Sequence, residues 1–322
     1  MWTITVTMAK AKQVRPAPAP SGARLRRRSA VERKKNRAAY LFVLPFVVLF
    51  AAMLFIPLVY AGYLSMFQVR IIGGESFIGV ANYIRAFLDP RFLEGLLRMG
   101  VFLIVQVPIM LSLALVFALA LDSGRVRGSR VLRLLIFVPF AVPGVIATLM
   151  WGYLYGNDFG PIAQVARALG FAPPDLLASG NILGSIMNIV TWSFVGYNMI
   201  IMYAALRSIP EELFEAADID GAGQIRVAWS IKIPAIRPAI LLTVIFSIIG
   251  TFQLFNEPSL LYRIAPDAIG VSFSPNFYAY NLAFISLDTN YAAAIAFLLG
   301  TVIATISYII QHFANRSQRS EP

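Results

Sequence analysis

Residues 208–222 have the sequence SIPEELFEAADIDGA, a charged stretch within an otherwise apolar half of the chain. Ser208 and Glu211 have the spacing of a capping box, which predicts that a helix begins here. Gly221 is a common stop signal, because glycine adopts the left-handed backbone that ends helices. The stretch therefore predicts a short helix over residues 211–220. Three of its acidic residues are expected on one face: Glu211, Glu215 and Asp218.

A second short helix is predicted over residues 225–232, and Pro234 is expected to close it. Neither helix has the roughly 20 residues that a helix needs to cross a bilayer. Residues 207–237 are thus predicted to form a loop outside the membrane, with five acidic and four basic residues. The segments on either side are apolar.

Composition places the chain in a membrane. Its 322 residues are 58% hydrophobic and 13% charged, with a mean hydropathy of +0.72, whereas charged residues make up about a quarter of a soluble domain. There is no cysteine and one histidine, His312. This excludes thiolate metal sites, cysteine nucleophiles and histidine-dependent triads, so we expect neither a catalytic residue nor a bound metal.

Six uncharged gaps between charged residues are long enough to span a bilayer. The predicted spans are 40–66, 99–121, 134–155, 183–206, 238–256 and 291–313. The predicted fold is therefore all-α, a polytopic membrane protein with six transmembrane helices. A further gap between Asp267 and Asp288 contains proline, glycine and amide residues, and we predict that it does not cross the membrane.

Lysine and arginine fix the predicted orientation. Twenty-one of the 27 lie in the tails and the two loops on one side of the six spans, which places both termini in the cytoplasm. Residues 1–37 are expected to be a disordered basic tail, 38–315 the membrane domain, and 316–322 a second cytoplasmic tail. No aromatic residues interleave the basic run, so we expect no nucleic-acid partner.

Polar and aromatic residues inside spans are candidates for a solute pathway, since lipid-facing positions would not retain them. They concentrate in the fourth and fifth spans. The candidates are Asn188, Trp192, Tyr197, Asn198, Thr251, Phe252, Gln253 and Asn256. An amide beside an aromatic ring suits a sugar, although a single Asn or Ser in a span more often joins helices. Trp151 and Tyr155 are assigned to an interfacial belt and Gln106 to packing.

The stretch 208–222, followed by Ile231-Lys232-Ile233-Pro234, resembles the EAA loop of permease subunits of binding-protein-dependent ABC importers. The match combines the triplet Glu215-Ala216-Ala217, Gly221 four residues later and Pro234 thirteen residues after Gly221. Residues 41–45, 77–83, 254–258 and 291–295 resemble the sugar-type branch. The resemblance covers residues 38–315.

This resemblance implies a type I importer permease that is not itself an enzyme. Its partners would be a second permease, two ATPase subunits that bind ATP and Mg²⁺, and an extracytoplasmic solute-binding protein, in a bacterial or archaeal cytoplasmic membrane. The EAA helix would dock in a cleft of an ATPase through Glu211, Glu215 and Asp218, with the small residues Ala216, Ala217 and Gly221 permitting close approach. The solute would be a sugar, an oligosaccharide or a related polyol, including glycerol phosphates.

Three alternatives remain open on the sequence. An amino-acid or peptide permease of the same family is the nearest. An ion-coupled carrier is disfavoured, because no acidic or basic residue lies inside the predicted spans. A membrane-embedded enzyme would need a catalytic group, and the nearest candidates, Glu257 and Asp288, have no histidine or cysteine beside them in the sequence.

Overall fold

The computed structural model describes residues 30–70 and 72–319, whose regular elements are helices and one β-hairpin. In chain order the elements are α1 (Ala30–Ser65), β1 (Phe67–Arg70), β2 (Gly74–Phe77), α2 (Ala81–Leu88), α3 (Pro90–Asp122), α4 (Ser129–Ala141), α5 (Gly144–Tyr155), α6 (Pro161–Ala168), α7 (Ile182–Leu206), α8 (Glu212–Ile219), α9 (Gln224–Val227), a π-helical turn (Ala228–Lys232), α10 (Ile233–Ala235), α11 (Arg237–Phe252), α12 (Asn256–Leu261), α13 (Pro275–Phe284) and α14 (Thr289–Arg319). The strands pair antiparallel, with Phe67 opposite Phe77.

Five spans in the described residues are long and apolar enough to cross a membrane, and α4 with α5 makes a sixth if the bent pair counts as one. This agrees with the predicted six-span, all-α fold. The segment between Asp267 and Asp288 holds only the ten-residue helix α13, which is too short to cross a bilayer. The prediction that this segment does not span is thus confirmed.

The third predicted span, 134–155, is wrong as a single helix. It is broken between α4 and α5, which meet at an angle of 96°. Val142 is extended, with φ −76° and ψ 125°, because the ring of Pro143 disfavours helical backbone in the residue before it. The proline also has no N–H to continue the helical hydrogen bonds.

Helix continues into both predicted tails. Helix α1 begins at Ala30, so residues 30–37 are not the disordered tail that was predicted; they contain neither proline nor glycine, and the charged helix formers among them continue the helix. Helix α14 likewise extends to Arg319, into the predicted tail 316–322. The predictions for residues 1–29 and 320–322 lie outside the described residues.

The chain divides between Pro57 and Leu58 into two units. The first contains most of α1. In the second, α7 packs against both α3 and α4. Its contact with α4 depends on Gly196, since a Cβ there would lie 2.0 Å from the backbone oxygen of Ile136. The two helices therefore approach at backbone distance, which only glycine permits at this position.

A hydrogen-bonded cluster at Asp89 fixes α13, at the end of α3 opposite Asp122. The hydroxyls of Tyr278 and Tyr291 both donate to Asp89 Oδ2 at 2.7 Å, and the Arg91 amide donates to Oδ1 at 2.9 Å. Burial acts to raise the pKa of the Asp89 carboxyl, but these hydrogen bonds hold it below its ordinary value of 3.8. Burial and the hydrogen bond to Asp89 raise the pKa of Tyr278 to about 12, so Tyr278 remains a donor.

Asp89→Asn is expected to destabilise the protein by about 1–2 kcal/mol at pH 7, because two tyrosines lose a charged acceptor. A carboxyl whose pKa is lower in the folded state stabilises the protein fully at a pH above its pKa in the unfolded state. This stabilisation is lost as the pH falls through the pKa of the folded state. The difference from wild type should therefore shrink below pH 3.8. Thermal unfolding in detergent at several pH values measures this. Glu94→Gln is the control, because Glu94 is an exposed carboxylate on the helix that Asp89 caps. Equal effects of the two variants would contradict the prediction.

Candidate functional site

Two regions carry the candidate residues: the coupling loop, defined as residues 207–237, and a cavity beside the fifth span. The loop begins where α7 ends. The Ser208 hydroxyl donates to the Ala205 carbonyl at 2.7 Å, and the residue that caps α8 is Glu211, which makes no side-chain cap. The predicted capping box is therefore wrong, because the Ser208 side chain instead donates to a carbonyl in the last turn of α7.

Gly221 ends α8 as predicted. Its φ is +68°, a backbone conformation that side chains with a Cβ disfavour. The Ala222 amide donates to the Ala217 carbonyl at 2.9 Å and the Gly221 amide donates to the Asp218 carbonyl at 3.1 Å. These two bonds form the Schellman motif. Gly221 thus sets the direction in which the chain leaves α8.

The faces of α8 separate the predicted coupling residues. Glu211, Glu215 and Asp218 are exposed, and so is Ala216. Ala217 is buried, with 7% of its surface accessible, so its side chain packs inward. Four large apolar side chains of the loop are exposed: Leu213, Ile219, Ile225 and Trp229. Exposed apolar groups beside a charged helix are typical of a protein interface.

The second half of the loop is continuous up to α11. The predicted helix over 225–232 is split between α9 and the π-helical turn, and Pro234 lies in the first turn of α10 rather than closing the helix. Proline interferes with the carbonyl four residues before it in a regular helix. The wider π turn directly before Pro234 provides room for the ring.

A buried ion pair, not anticipated from the sequence, ties the loop to the membrane bundle. Lys232 Nζ lies 2.5 Å from Asp122 Oδ2, and the two side chains are 11% and 6% exposed. Lys232 Nζ also lies 5.2 Å from the ring centroid of Phe214, a residue of α8. Asp122 lies 110 residues before Lys232 in the chain, so no local pattern connects the two. The only hint in the sequence is that Lys232 is a single lysine between Ile231 and Ile233. The pair joins the loop to the last residue of α3.

The fifth span is interrupted between α11 and α12, which corrects the continuous helix predicted over 238–256. The interruption leaves backbone carbonyls without helical partners, and neighbouring side chains replace them. Ser274 Oγ donates to the Leu254 carbonyl at 2.6 Å, and Asn276 Nδ2 donates to the Gln253 carbonyl at 3.0 Å. Irregular backbone at membrane depth is tolerated where it is buried in protein or lines a cavity.

A cavity of about 300 Å³ lies at this interruption. Five of the eight predicted pathway residues line it: Tyr197, Asn198, Thr251, Gln253 and Asn256. Gln106, which was assigned to packing, also lines it, and its amide donates to Thr191 Oγ1 at 3.2 Å. Fourth and fifth spans thus contribute polar groups to one cavity, as the concentration of amides in these spans predicted.

The other three predicted residues lie elsewhere. Phe252 is buried in the hydrophobic core. Asn188 donates to the Tyr155 hydroxyl at 2.7 Å, and Trp192 packs edge to face against Trp151 at 5.7 Å. Tyr155 is itself buried, so assigning Trp151 and Tyr155 to an interfacial belt was wrong. The bend between α4 and α5 turns them toward α7, and the sequence contains no direct signal of that bend's direction.

Comparison with known proteins agrees with this geometry. The family described as binding-protein-dependent transport system inner membrane component matches residues 78–320. The lactose transport system permease protein LacF of Rhizobium radiobacter is 31% identical over 301 residues, covering 91% of this chain and 98% of that protein. The arabinooligosaccharides transport system permease protein AraP of Bacillus subtilis is 29% identical, covering 85% of this chain and 88% of AraP.

Among solved structures, the fold is similar to a chain of a bacterial ABC transporter involved in the import of the acidic polysaccharide alginate. The TM-score is 0.78 at 18% identity, covering 89% of this chain and 98% of that one. At this identity the likeness concerns the fold.

Proposed function

The chain belongs to the family of binding-protein-dependent transport system inner membrane components, and on that premise we propose that it forms half of the pathway by which an ATP-driven importer takes up an oligosaccharide or a similar sugar. The observation that carries the proposal is the cavity at the interrupted fifth span, lined by amides, hydroxyls and aromatic rings. Such groups bind sugars by hydrogen bonds to hydroxyls and by stacking on ring faces. The similar LacF and AraP are named for saccharides.

The coupling loop is proposed to transmit the work of ATP hydrolysis, which takes place in partner subunits. The exposed carboxylates Glu211, Glu215 and Asp218 would meet basic groups of an ATPase, and the exposed Ile219 and Trp229 would be covered by the same partner. Gly221 and Pro234 set the course of the loop behind this surface. ATP and Mg²⁺ would be bound by the two ATPase subunits and not by this chain.

The remaining partners follow from the same proposal. A second permease would complete the pathway, and a solute-binding protein would deliver the solute at the side opposite the coupling loop. The excess of lysine and arginine in the tails and in the loops around 122–133 and 207–237 supports placing both termini and the coupling loop in the cytoplasm. Tyr197, Asn198, Thr251, Gln253 and Asn256 are proposed to contact the solute.

Glu215→Lys is expected to lower co-purification of the ATPase by about tenfold or more, since charge reversal in an interface costs several kcal/mol. A tagged chain is extracted in mild detergent, and its partners are identified by mass spectrometry. Glu75→Lys provides the control, because Glu75 is also exposed but lies on the hairpin after α1. Wild type and Glu75→Lys should retain an ATPase and a second permease. A wild-type chain that purifies alone and transports without ATP would point to a secondary carrier instead.

A further inference from the structure

We propose that Arg98 is a positioning residue that ties the interruption of the fifth span to helix α3, so that the cavity wall and α3 move as one unit. The inference rests on the proposed function and deepens it, because it names the contacts through which motion of the coupling loop would reach the cavity. Arg98 does not itself line the cavity. It acts through the bridging segment, defined as residues 272–276 at the start of α13.

Two side chains of the bridging segment hold the interruption in place. Ser274 and Asn276 donate to the free carbonyls of Leu254 and Gln253. Ser274 is fully buried, and its hydroxyl also accepts from the Phe277 amide at 3.2 Å, so it caps α13 as well. Gln253 and Leu254 line the cavity. The shape of that wall therefore depends on where the bridging segment lies.

Arg98 fixes the bridging segment from the side of α3. Its Nη1 donates to the Phe273 carbonyl at 2.9 Å, and its guanidinium carbon lies 4.7 Å from the centroid of the Phe273 ring. Phe273 is buried and directly precedes Ser274. Hydrogen bonds from charged donors are stronger than those between neutral groups, and a guanidinium over an aromatic ring adds a cation–π attraction. Both interactions restrain the residue beside Ser274.

Gly95 brings the same segment against the backbone of α3. A Cβ at Gly95 would lie 3.0 Å from the carbonyl oxygen of Ser272 and 3.3 Å from the backbone nitrogen of Pro275. Gly95 lies one turn before Arg98, so the two residues are neighbours on one face of α3. This close approach does not depend on the charge of Arg98. The bridging segment is therefore held at two successive points along the helix.

The surroundings of Arg98 favour this role over a role in topology. Among the described residues Arg98 forms no ion pair. It directly precedes the predicted span 99–121, toward the end of α3 that lies opposite the coupling loop. The positive-inside rule concentrates arginine at the cytoplasmic ends of spans, so on the proposed orientation this rule does not account for Arg98. The hydrogen bond to the Phe273 carbonyl does.

Helix α3 connects this contact to the coupling loop. Asp122, its last residue, forms the buried ion pair with Lys232. Arg98 lies about 36 Å away along the same helix, at a rise of about 1.5 Å per residue. One continuous helix thus contacts the coupling loop at one end and holds the interruption near the other. A displacement of the loop that moves α3 would move Gln253 and Leu254 with it.

Pulsed electron paramagnetic resonance tests whether α3 and the interruption form one unit. The chain has no cysteine, so Leu97→Cys on α3 and Arg263→Cys after α12 attach two nitroxide labels at exposed sites. The distance between the labels is measured on the purified complex in lipid nanodiscs, without nucleotide and with ATP and vanadate. The wild-type complex, treated with the same label, gives the background from the partner subunits. We expect one narrow distance distribution under both conditions.

Arg98→Met in the labelled chain should widen this distribution at least about twofold without nucleotide, because a hydrogen bond from a charged group no longer restrains the bridging segment. Gly95→Ala should also widen it, by displacing the segment from α3. Arg98→Lys keeps a charged donor on a long side chain and should remain closer to the parent distribution than to that of Arg98→Met. A role in stability alone would lower the unfolding temperature and leave the distance in the folded chain unchanged.

Two variants on the same helix are matched controls. Gly100→Ala adds a Cβ that meets nothing within 4 Å, and Arg91→Met removes an exposed arginine. Both should leave the distribution unchanged. The inference is overturned by an unchanged distribution in Arg98→Met, by Arg98→Lys as wide as Arg98→Met, or by a shift in the parent distance of more than about 5 Å, one helical turn, with ATP and vanadate. Failure of the proposed function is recognised separately, by the absence of an ATPase from the wild-type purification, and the nucleotide-free distances still decide the role of Arg98.

Discussion

Lys232→Met destabilises the protein by an expected 3–5 kcal/mol, because it leaves the carboxylate of Asp122 buried without its cation. The side chain of Asp122 is only 6% exposed, so little water reaches it to replace the ammonium group. Asp122→Asn should have a similar effect by leaving Lys232 uncompensated. Thermal unfolding of the purified protein in detergent provides the measurement.

The double variant Asp122→Leu with Lys232→Met removes both charges but keeps a large side chain at each position. It therefore distinguishes the effect of the charges from the effect of packing. Replacing both members of a buried ion pair by apolar groups is often neutral or stabilising. We therefore expect the double variant to recover most of the stability that each single variant loses. If the two losses simply added, the ion pair would not be the interaction that matters at this site.

Arg85→Met is the comparison for Lys232→Met, since it removes a cation from an ion pair in the same protein. Arg85 lies 3.0 Å from Asp288, but these side chains are 50% and 34% exposed. Exposed ion pairs contribute about 0–1 kcal/mol. The contrast between the two variants measures how much burial, and not the ion pair as such, determines the cost. Lys232 variants should also lower uptake, because Lys232 connects the coupling loop to α3.

Gly196→Ala is expected to destabilise the protein by about 3 kcal/mol, at the upper end of the range for overpacked interiors. The added Cβ would meet the carbonyl oxygen of Ile136 at 2.0 Å and the Cα of Phe137 at 2.8 Å. Both are backbone atoms of α4, so no side-chain rotation relieves the contact. Helices α4 and α7 would have to move apart, which would also shift Tyr197 and Asn198 in the cavity.

Gly184→Ala is the matched control on the same helix. A Cβ at Gly184 meets nothing within 4 Å, and alanine favours a helix over glycine by up to about 1 kcal/mol. This control should unfold at the same temperature as wild type or slightly above it, while Gly196→Ala unfolds earlier and loses uptake. Equal melting temperatures for the two variants would show that α4 and α7 do not meet at Gly196 as described.

Local sequence patterns were sufficient to predict the regular parts of the site. Gly221 was predicted as the stop of α8 because a left-handed turn needs glycine, and its φ of +68° agrees. The gathering of Asn198, Gln253 and Asn256 at one cavity followed from amides in two neighbouring spans. Predictions failed where a residue had two uses: Ser208 could cap α8 or close α7, and local spacing cannot decide between them.

The sequence by itself determined the number of apolar spans, the charged loop between the fourth and fifth, and the family, because each depends on residues that are near one another in the chain. Tertiary structure alone decided the rest. Helix packing pairs Lys232 with Asp122 and places Gln106 at the cavity. The bend before Pro143 turns Trp151 and Tyr155 inward. The fifth span is interrupted where Ser274 and Asn276 donate hydrogen bonds to its free carbonyls. These outcomes depend on which distant groups meet when helices pack, and local spacing contains no information about that.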